Sequence, residues 1–336
     1  MAANSPKHQG QAPQATGVAT PVIKWLLDSD PSIRWQVMRD LLDAPQEDVA
    51  VERARVATEG MGARLLGMQG TDGSWGGEAW NHGWDSTMHI LTLLREMGLD
   101  PASEEARRAV GLVRDRVRWK GWDWDGSWKG WDFVGNPFFA GEVEPCINGQ
   151  VAASGAYFGL AQDIKRIIDL LLAEQLSDGG WNCEAENGST RSSLNTTICV
   201  LEALLEYELA GGERSAAAKE ARLRGQEYLL ERRLFRRLST GEVIDPAFTQ
   251  FSFPTWWHYD VLRGLEYLRE AGATPDERMS EAIDLVRSKR DSDGRWPLEN
   301  QYPGTMPIEV DEGEGQPSRW NTLRALRVLD WYSARD

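Results

Sequence analysis

One short pattern, returning at a fixed interval, constrains this chain more than its composition does. Gln69-Gly70-Thr71-Asp72-Gly73-Ser74-Trp75 reads Gln-x-x-Asp-Gly-x-Trp, and Gln175-Leu176-Ser177-Asp178-Gly179-Gly180-Trp181 repeats it in full. Asp125-Gly126-Ser127-Trp128 and Asp293-Gly294-Arg295-Trp296 keep its second half. Trp75, Trp128 and Trp181 follow one another at 53 positions, and Trp296 comes 115 later, about two more periods. A further copy near Ser239-Thr240-Gly241 has eroded. A period of this size is one helical hairpin, and 336 residues hold about six of them. Asp-Gly supplies a turn with a positive-φ position that ends a helix, and the Trp adds a large apolar plate with an N–H to satisfy. The motif is therefore expected to staple adjacent outer helices, with the glutamine packed near a tryptophan.

Helix signals fill the intervals between markers. Val22 to Asp28, Ile33 to Asp43, Val49 to Met68, the stretch from Trp84-Asp85-Ser86 to Met97, Ser103 to Val117 and about Asn148 to Leu160 read as helices. Asp163 to Gln175, Ser192 to Leu209, Ala216 to Arg236, Trp256 to Glu270, Glu277 to Lys289 and Arg319 to Trp331 bring the count to about twelve. Connections within pairs after the first are long and those between pairs short, so in a ring of alternating outer and inner helices the long ones emerge at one end. Loops on a rigid scaffold carry function, which points to that end as the mouth. Inner helices align with one another: Arg34 to Leu41, His258 to Leu265 and Arg319 to Leu326 match over two turns. The alignment sets a polar ring of Gln36, Asp85, Gln150, Thr196, Asp260 and Asn321 at that mouth.

The marker, its period and the tryptophan-rich surroundings resemble the repeat of the squalene-hopene cyclase and protein prenyltransferase superfamily. Segments such as Ile33-Arg34-Trp35-Gln36-Val37 and Trp257-His258-Tyr259-Asp260 are most similar to short, single-toroid bacterial members. The resemblance implies an all-α fold, an α/α toroid (α6-α6 barrel) of about six hairpins, over residues 21–336 as one domain. Residues 1–20, rich in Ala, Gln, Pro and Gly, read as a disordered tail.

A formal net charge of -15 argues against nucleic acid or an anionic membrane surface as partner. No apolar run approaches the roughly 20 residues of a membrane span, so no integral membrane segment is expected. Three cysteines, Cys146, Cys183 and Cys199, have no framework spacing and fit a reducing cytoplasm, Cys146 and Cys199 as buried, inert thiols. No protein partner can be named from the sequence.

Candidate chemistry gathers at the expected mouth. Asp260, His258 and Asp85 are the catalytic candidates, a desolvated carboxyl beside an ionised one being able to divide acid and base roles. Helix capping is the competing reading of both aspartates. Trp84, Trp124, Trp256, Trp257, Arg319, Trp320 and Asn321 are candidate substrate contacts, tryptophan faces suiting either a carbocation or a sugar ring. In the cyclases an Asp-x-Asp-Asp motif starts the reaction. Its counterpart here, His82-Gly83-Trp84-Asp85, keeps only the last acid. Prenyltransferases of this fold hold zinc through Asp, Cys and His, for which Asp85, Cys183 and His258 are the nearest types; their spacing does not reproduce that motif, and no cofactor is expected. The leading expectation is a terpenoid-cyclase-like or prenyltransferase-like protein binding or transforming an isoprenoid or other apolar small molecule in a central apolar or mixed cavity. A carbohydrate-active α/α barrel is the second and a non-catalytic interaction scaffold the third. The cavity distinguishes them: greasy and closed for isoprenoids, open with a carboxylate pair for sugars, filled by side chains for a scaffold.

Overall fold

A computed structural model describes residues 20–81, 83–121 and 133–334. The expected tail, except Thr20, and Trp124 lie outside these residues. The helices are α1 Pro21–Leu27, α2 Pro31–Asp40, α3 Gln46–Ala54, α4 Gly60–Gly67, α5 Thr87–Glu96, α6 Glu104–Arg116 and α7 Pro145–Tyr157. They continue with α8 Lys165–Ala173, α9 Leu194–Leu209, α10 Ser215–Glu231, α11 Val261–Glu270, α12 Ser280–Ser288 and α13 Arg319–Ser333. A two-residue antiparallel pair, β1 Trp296–Pro297 with β2 Pro317–Ser318, leads into α13.

The architecture is the α/α toroid that the resemblance of the repeat implies. Helices α2, α5, α7, α9, α11 and α13 form the inner layer, and most of their residues are buried. The ring closes where α13 meets α2: Arg327 donates to the Gln36 side chain and pairs with Asp40 at 2.8 Å. Long connections precede the inner helices from α5 to α13 and short ones follow them, as the sequence requires.

Three markers have one geometry. The indole N–H groups of Trp75, Trp181 and Trp296 each donate to the carbonyl ten residues earlier, on Leu65, Leu171 and Val286, at 2.7 Å. Their backbone N–H groups donate to the hydroxyls of Thr87, Thr197 and Thr322 in the first turns of the following inner helices. Gly73, Gly179 and Gly294 stand at φ between 82° and 94°, the left-handed region in which a Cβ is strained. Gln69 donates to Gly73 O and to Ala109 O of α6, and Gln175 repeats this to Gly179 O and Ala221 O of α10. The marker is thus a staple between neighbouring outer helices, its glutamine donating to carbonyl groups of its own turn and of the next outer helix.

Two expected helices are shortened for identifiable reasons. The run Val49 to Met68 is interrupted between α3 and α4, where Gly60 takes φ +64° and Asp30 accepts the Met61 N–H at 2.8 Å, giving α4 a separate start. The helix expected from Trp256 begins only at Val261. Asp260 caps it, and the tryptophans before it lie in the connection.

Candidate functional site

The two ends of the ring differ in chemistry. At the carboxyl ends of the inner helices a cavity of about 570 Å³ opens, reaching inward to Phe253, Thr255 and Trp320. Leu209 at its rim is 73% exposed, whereas Trp320 at its floor is 2% exposed, which fixes the direction of the opening. The expected mouth, at the loop-rich end, is not where this cavity opens. The long connections fold their aromatic side chains across that end instead.

Ion pairs line the open cavity. On α11, Glu266 pairs with Arg327 at 2.9 Å, Arg269 at 3.1 Å and Arg324 at 3.5 Å. On α9, Glu202 pairs with Arg263 at 2.7 Å and with Arg95 of α5 at 3.4 Å, and Arg95 also reaches Glu206 at 3.4 Å. Burial would raise both Glu202 and Glu266, but the surrounding guanidinium groups overcome it and hold both carboxyls below their ordinary range. One turn further along, the balance reverses. Burial raises Glu206 and Glu96, and Arg95 only partly offsets it. Glu270 stands at the rim with half of its side chain reached by water; the enclosing wall and the Glu266 carboxylate push it up to about 7. Each of α9 and α11 therefore carries an ionised carboxylate and, four residues on, one with raised proton affinity. The pairs occupy equivalent places, six and ten residues after Thr196 and Asp260.

The loop-rich end is closed by stacked rings. Trp84 and Trp256 stack at 4.9 Å and Phe253 and Trp320 at 4.3 Å, while His258 lies between Trp257 and Tyr302. Burial lowers His258 to about 4 and His89 to about 3, so both imidazoles are neutral near pH 7. Beside this cluster a smaller cavity of about 300 Å³ is bounded by Phe253, Trp256, Tyr302, Met306, Ile308 and Val310, with Glu309, Asp311 and Glu312 on its border.

The candidates from sequence separate accordingly. Asp260 is buried, and its two oxygens accept the Arg263 N–H at 2.7 Å and the Ser252 N–H at 3.1 Å. Burial raises its pKa, against the pull of Arg324 and these two N–H groups. Asp85 accepts from Asn81 at 3.0 Å, and among the described residues no hydrogen bond joins it to Asp260 or His258. Trp84 donates to the carbonyls of Tyr302 and Pro303, and Trp257 covers His258. Arg319 lies over Trp25 and pairs with Glu312 on the border of the smaller cavity, itself lining neither cavity. Trp320 is at the floor of the large cavity, donating to Val310 O at 3.0 Å, and Asn321 ties α13 to Pro297 O at 3.1 Å. The zinc candidates do not come together as a set: Cys183 meets Cys146 and Glu144 rather than Asp85 and His258.

The cavity's charged residues were not singled out from sequence, although the signal was there. Arg39, Arg263 and Arg324 coincide in the inner-helix alignment, and so do Glu206 and Glu270. Glu96 joins them only in the register of the structure, where the equivalent contacts of Thr87 and Thr197 put Ser86 rather than Asp85 level with Thr196.

The chain matches no family model and no curated protein. Among solved structures it is similar to a glycosyl hydrolase family 88 protein from Bacteroides vulgatus, with TM-score 0.52 and 10% identity over 94% of this chain and 99% of that one. It is also similar to a protein from Actinoplanes, with TM-score 0.43 and 17% identity over 91% and 90% of the two chains. The type II terpene cyclase MstE from Scytonema gives TM-score 0.43 and 19% identity over 95% and 89%. At such identities the likeness to the first of these establishes the fold alone. Among the described residues no helix is long and apolar enough to cross a membrane.

Proposed function

We propose that the protein binds and processes a polar, hydroxyl-rich small molecule of the sugar class in the central cavity, by proton transfer to and from carboxyl pairs on α9 and α11. The observation that carries this reading is the repeated pair, Glu202 with Glu206 and Glu266 with Glu270, in which one carboxyl is held ionised and the other is pushed toward protonation. Groups whose surroundings drive their proton affinities apart are suited to divide acid and base roles. Glu270 is the proposed proton donor, since it stands at the rim, and the guanidinium groups of Arg39, Arg53 and Arg269 are the proposed hydrogen-bond donors to substrate oxygens. An isoprenoid chain would lie against the arginine–glutamate pairs as well as against Trp35, Leu205, Leu209, Phe253 and Trp320.

Titration calorimetry against neutral oligosaccharides, sugar acids and prenyl alcohols tests this. A sugar-class ligand is expected to bind, and Glu270→Gln is expected to lower its turnover by about 100-fold or more with affinity little changed. Preference for prenyl alcohols, or turnover that survives Glu270→Gln, overturns it.

A second reading rests on the smaller cavity, where Phe253, Trp256, Met306, Ile308 and Val310 offer a surface to a prenyl group beside an acidic border, in line with the resemblance to the squalene-cyclase repeat. If it holds, Met306→Trp abolishes prenyl-alcohol binding while Glu270→Gln leaves it intact.

A further inference from the structure

Away from both cavities, two connections of the ring bring three metal-ligating side chains to one point. Glu144 is the N-cap residue of α7 and Cys146 the second residue of that helix. Cys183 opens a single 3-10 turn, Cys183–Ala185, two residues after the second marker. The Cys146 and Cys183 sulfurs are 2.9 Å apart, and Cys146 Sγ is 3.5 Å from Glu144 Oε2. All three donor atoms lie within 4.8 Å of one another. Both thiols are free. We propose that Glu144, Cys146 and Cys183 form a zinc-binding site.

The donor set selects the metal. Thiolate sulfur disfavours calcium and magnesium, which take oxygen ligands, while two sulfurs and a carboxylate suit a borderline-soft divalent ion. Three protein ligands leave a fourth tetrahedral position, and Cys183 and Glu144 are only half-buried, so that position can be filled from solvent. The surroundings lack a countercharge. Glu184 and Glu186 act electrostatically on Glu144, and among the described residues none of these three carboxylates forms an ion pair with Lys or Arg. A divalent cation would supply the missing charge.

The supports of the ligands are also in place. Glu142 Oε1 accepts the Glu144 N–H at 2.5 Å, Thr196 accepts the Cys183 N–H at 3.3 Å, and the Thr196 hydroxyl lies 3.4 Å from Cys183 Sγ. Such hydrogen bonds orient ligands. The marker holds Trp181 by two bonds and so anchors the backbone from which Cys183 projects. Cys199 is directed elsewhere, toward Trp257 O. Two thiolates bound to one tetrahedral zinc sit about 3.8 Å apart, so binding separates the sulfurs by about 1 Å, a movement open to the short turn carrying Cys183.

The test is titration of the full-length, chelator-treated, reduced protein with Zn2+ against a chromophoric competitor, with Co2+ as a spectroscopic probe. One equivalent of Zn2+ is expected to bind, and Co2+ is expected to give thiolate-to-metal charge-transfer absorption. Cys146→Ser and Cys183→Ser should each remove that absorption, Glu144→Gln should weaken binding about tenfold or more, and Cys199→Ser should leave it unchanged. Glu144→Gln, at a half-buried position, guards against a fold failure in Cys146→Ser, and melting curves of each variant separate the two. No binding by the reduced protein, or binding retained in the Cys146→Ser, Cys183→Ser double variant, overturns the proposal. So does a Cys146–Cys183 disulfide that re-forms in air while the reduced protein takes up no metal.

Discussion

The two ends of the ring handle polar burial in opposite ways. Where the inner helices begin, long connections bring tryptophans over the ring, and the titratable groups beneath them lose their charge: His89 and His258 are both driven neutral. Where the inner helices end, connections are short, none of the described residues folds across, and Glu202, Glu206 and Glu266 remain at the lumen because arginines from neighbouring helices pair with them. Loop length and openness are therefore inversely related here. A long loop with enough aromatic surface becomes a plug, since burying a tryptophan face is favourable wherever its N–H finds a carbonyl.

Arg263 joins the two ends, and removing it tests the comparison most severely. Its guanidinium binds Glu202 on the lumen side and the carbonyls of Trp256 and His258 on the plug side. Arg263→Met should destabilise the fold by about 3 kcal/mol in urea denaturation, because the mostly buried Glu202 is left with only the 3.4 Å pairing to Arg95. Adding Glu202→Gln should restore part of that loss; a double variant as unstable as the single would mean that the plug carbonyls matter more than the ion pair.

The staples should be less sensitive. Thr197→Val removes the acceptor for the buried Trp181 N–H and is expected to cost about 1–3 kcal/mol, with a similar cost for Thr322→Val at Trp296. Unequal costs at these sites would show that the repeats share geometry without sharing energy.

At the plug, Asp260→Ala should cost about 2 kcal/mol, since a cap and a second N–H acceptor are lost together, whereas Asp85→Asn should stay within about 0.5 kcal/mol. Melting temperature read alongside ligand binding decides their role. Lost turnover in Asp85→Asn at unchanged stability would move the chemistry to the plugged end.

The smallest effect concerns pH. Glu270 binds its proton more tightly in the folded chain than its ordinary value of 4.5, so its contribution is complete below that value and is lost as pH rises through about 7. Relative to wild type, Glu270→Gln should gain stability between pH 5 and pH 8. His258 has the opposite sign: its folded value near 4 makes its contribution largest at high pH and removes it as pH falls below about 6.5 toward 4. A Glu270→Gln curve parallel to wild type over this range would show that water at the rim cancels the effect of the wall.

Local rules account for what could be read from the chain. Gln-x-x-Asp-Gly-x-Trp is a self-contained turn whose tryptophan reaches only ten residues back, so its recurrence determined the hairpin period and the number of hairpins, while the ring was implied by the resemblance of that repeat to a known one. Asp260 was legible as a cap because a cap bonds within its own first turn. The open end was a different matter. A glutamate at Glu206 or Glu270 reads on its own as a solvated helix end, and it faces a lumen only because Arg327 closes α13 onto α2, a contact spanning 291 positions. Cys146 and Cys183, 37 positions apart, likewise met only when the connections before α7 and α9 were laid side by side. Sequence determined the units and their staples through short-range bonding. Closure of the ring decided which charges share a cavity and which end stays open, because those depend on distances between helices that no single hairpin contains.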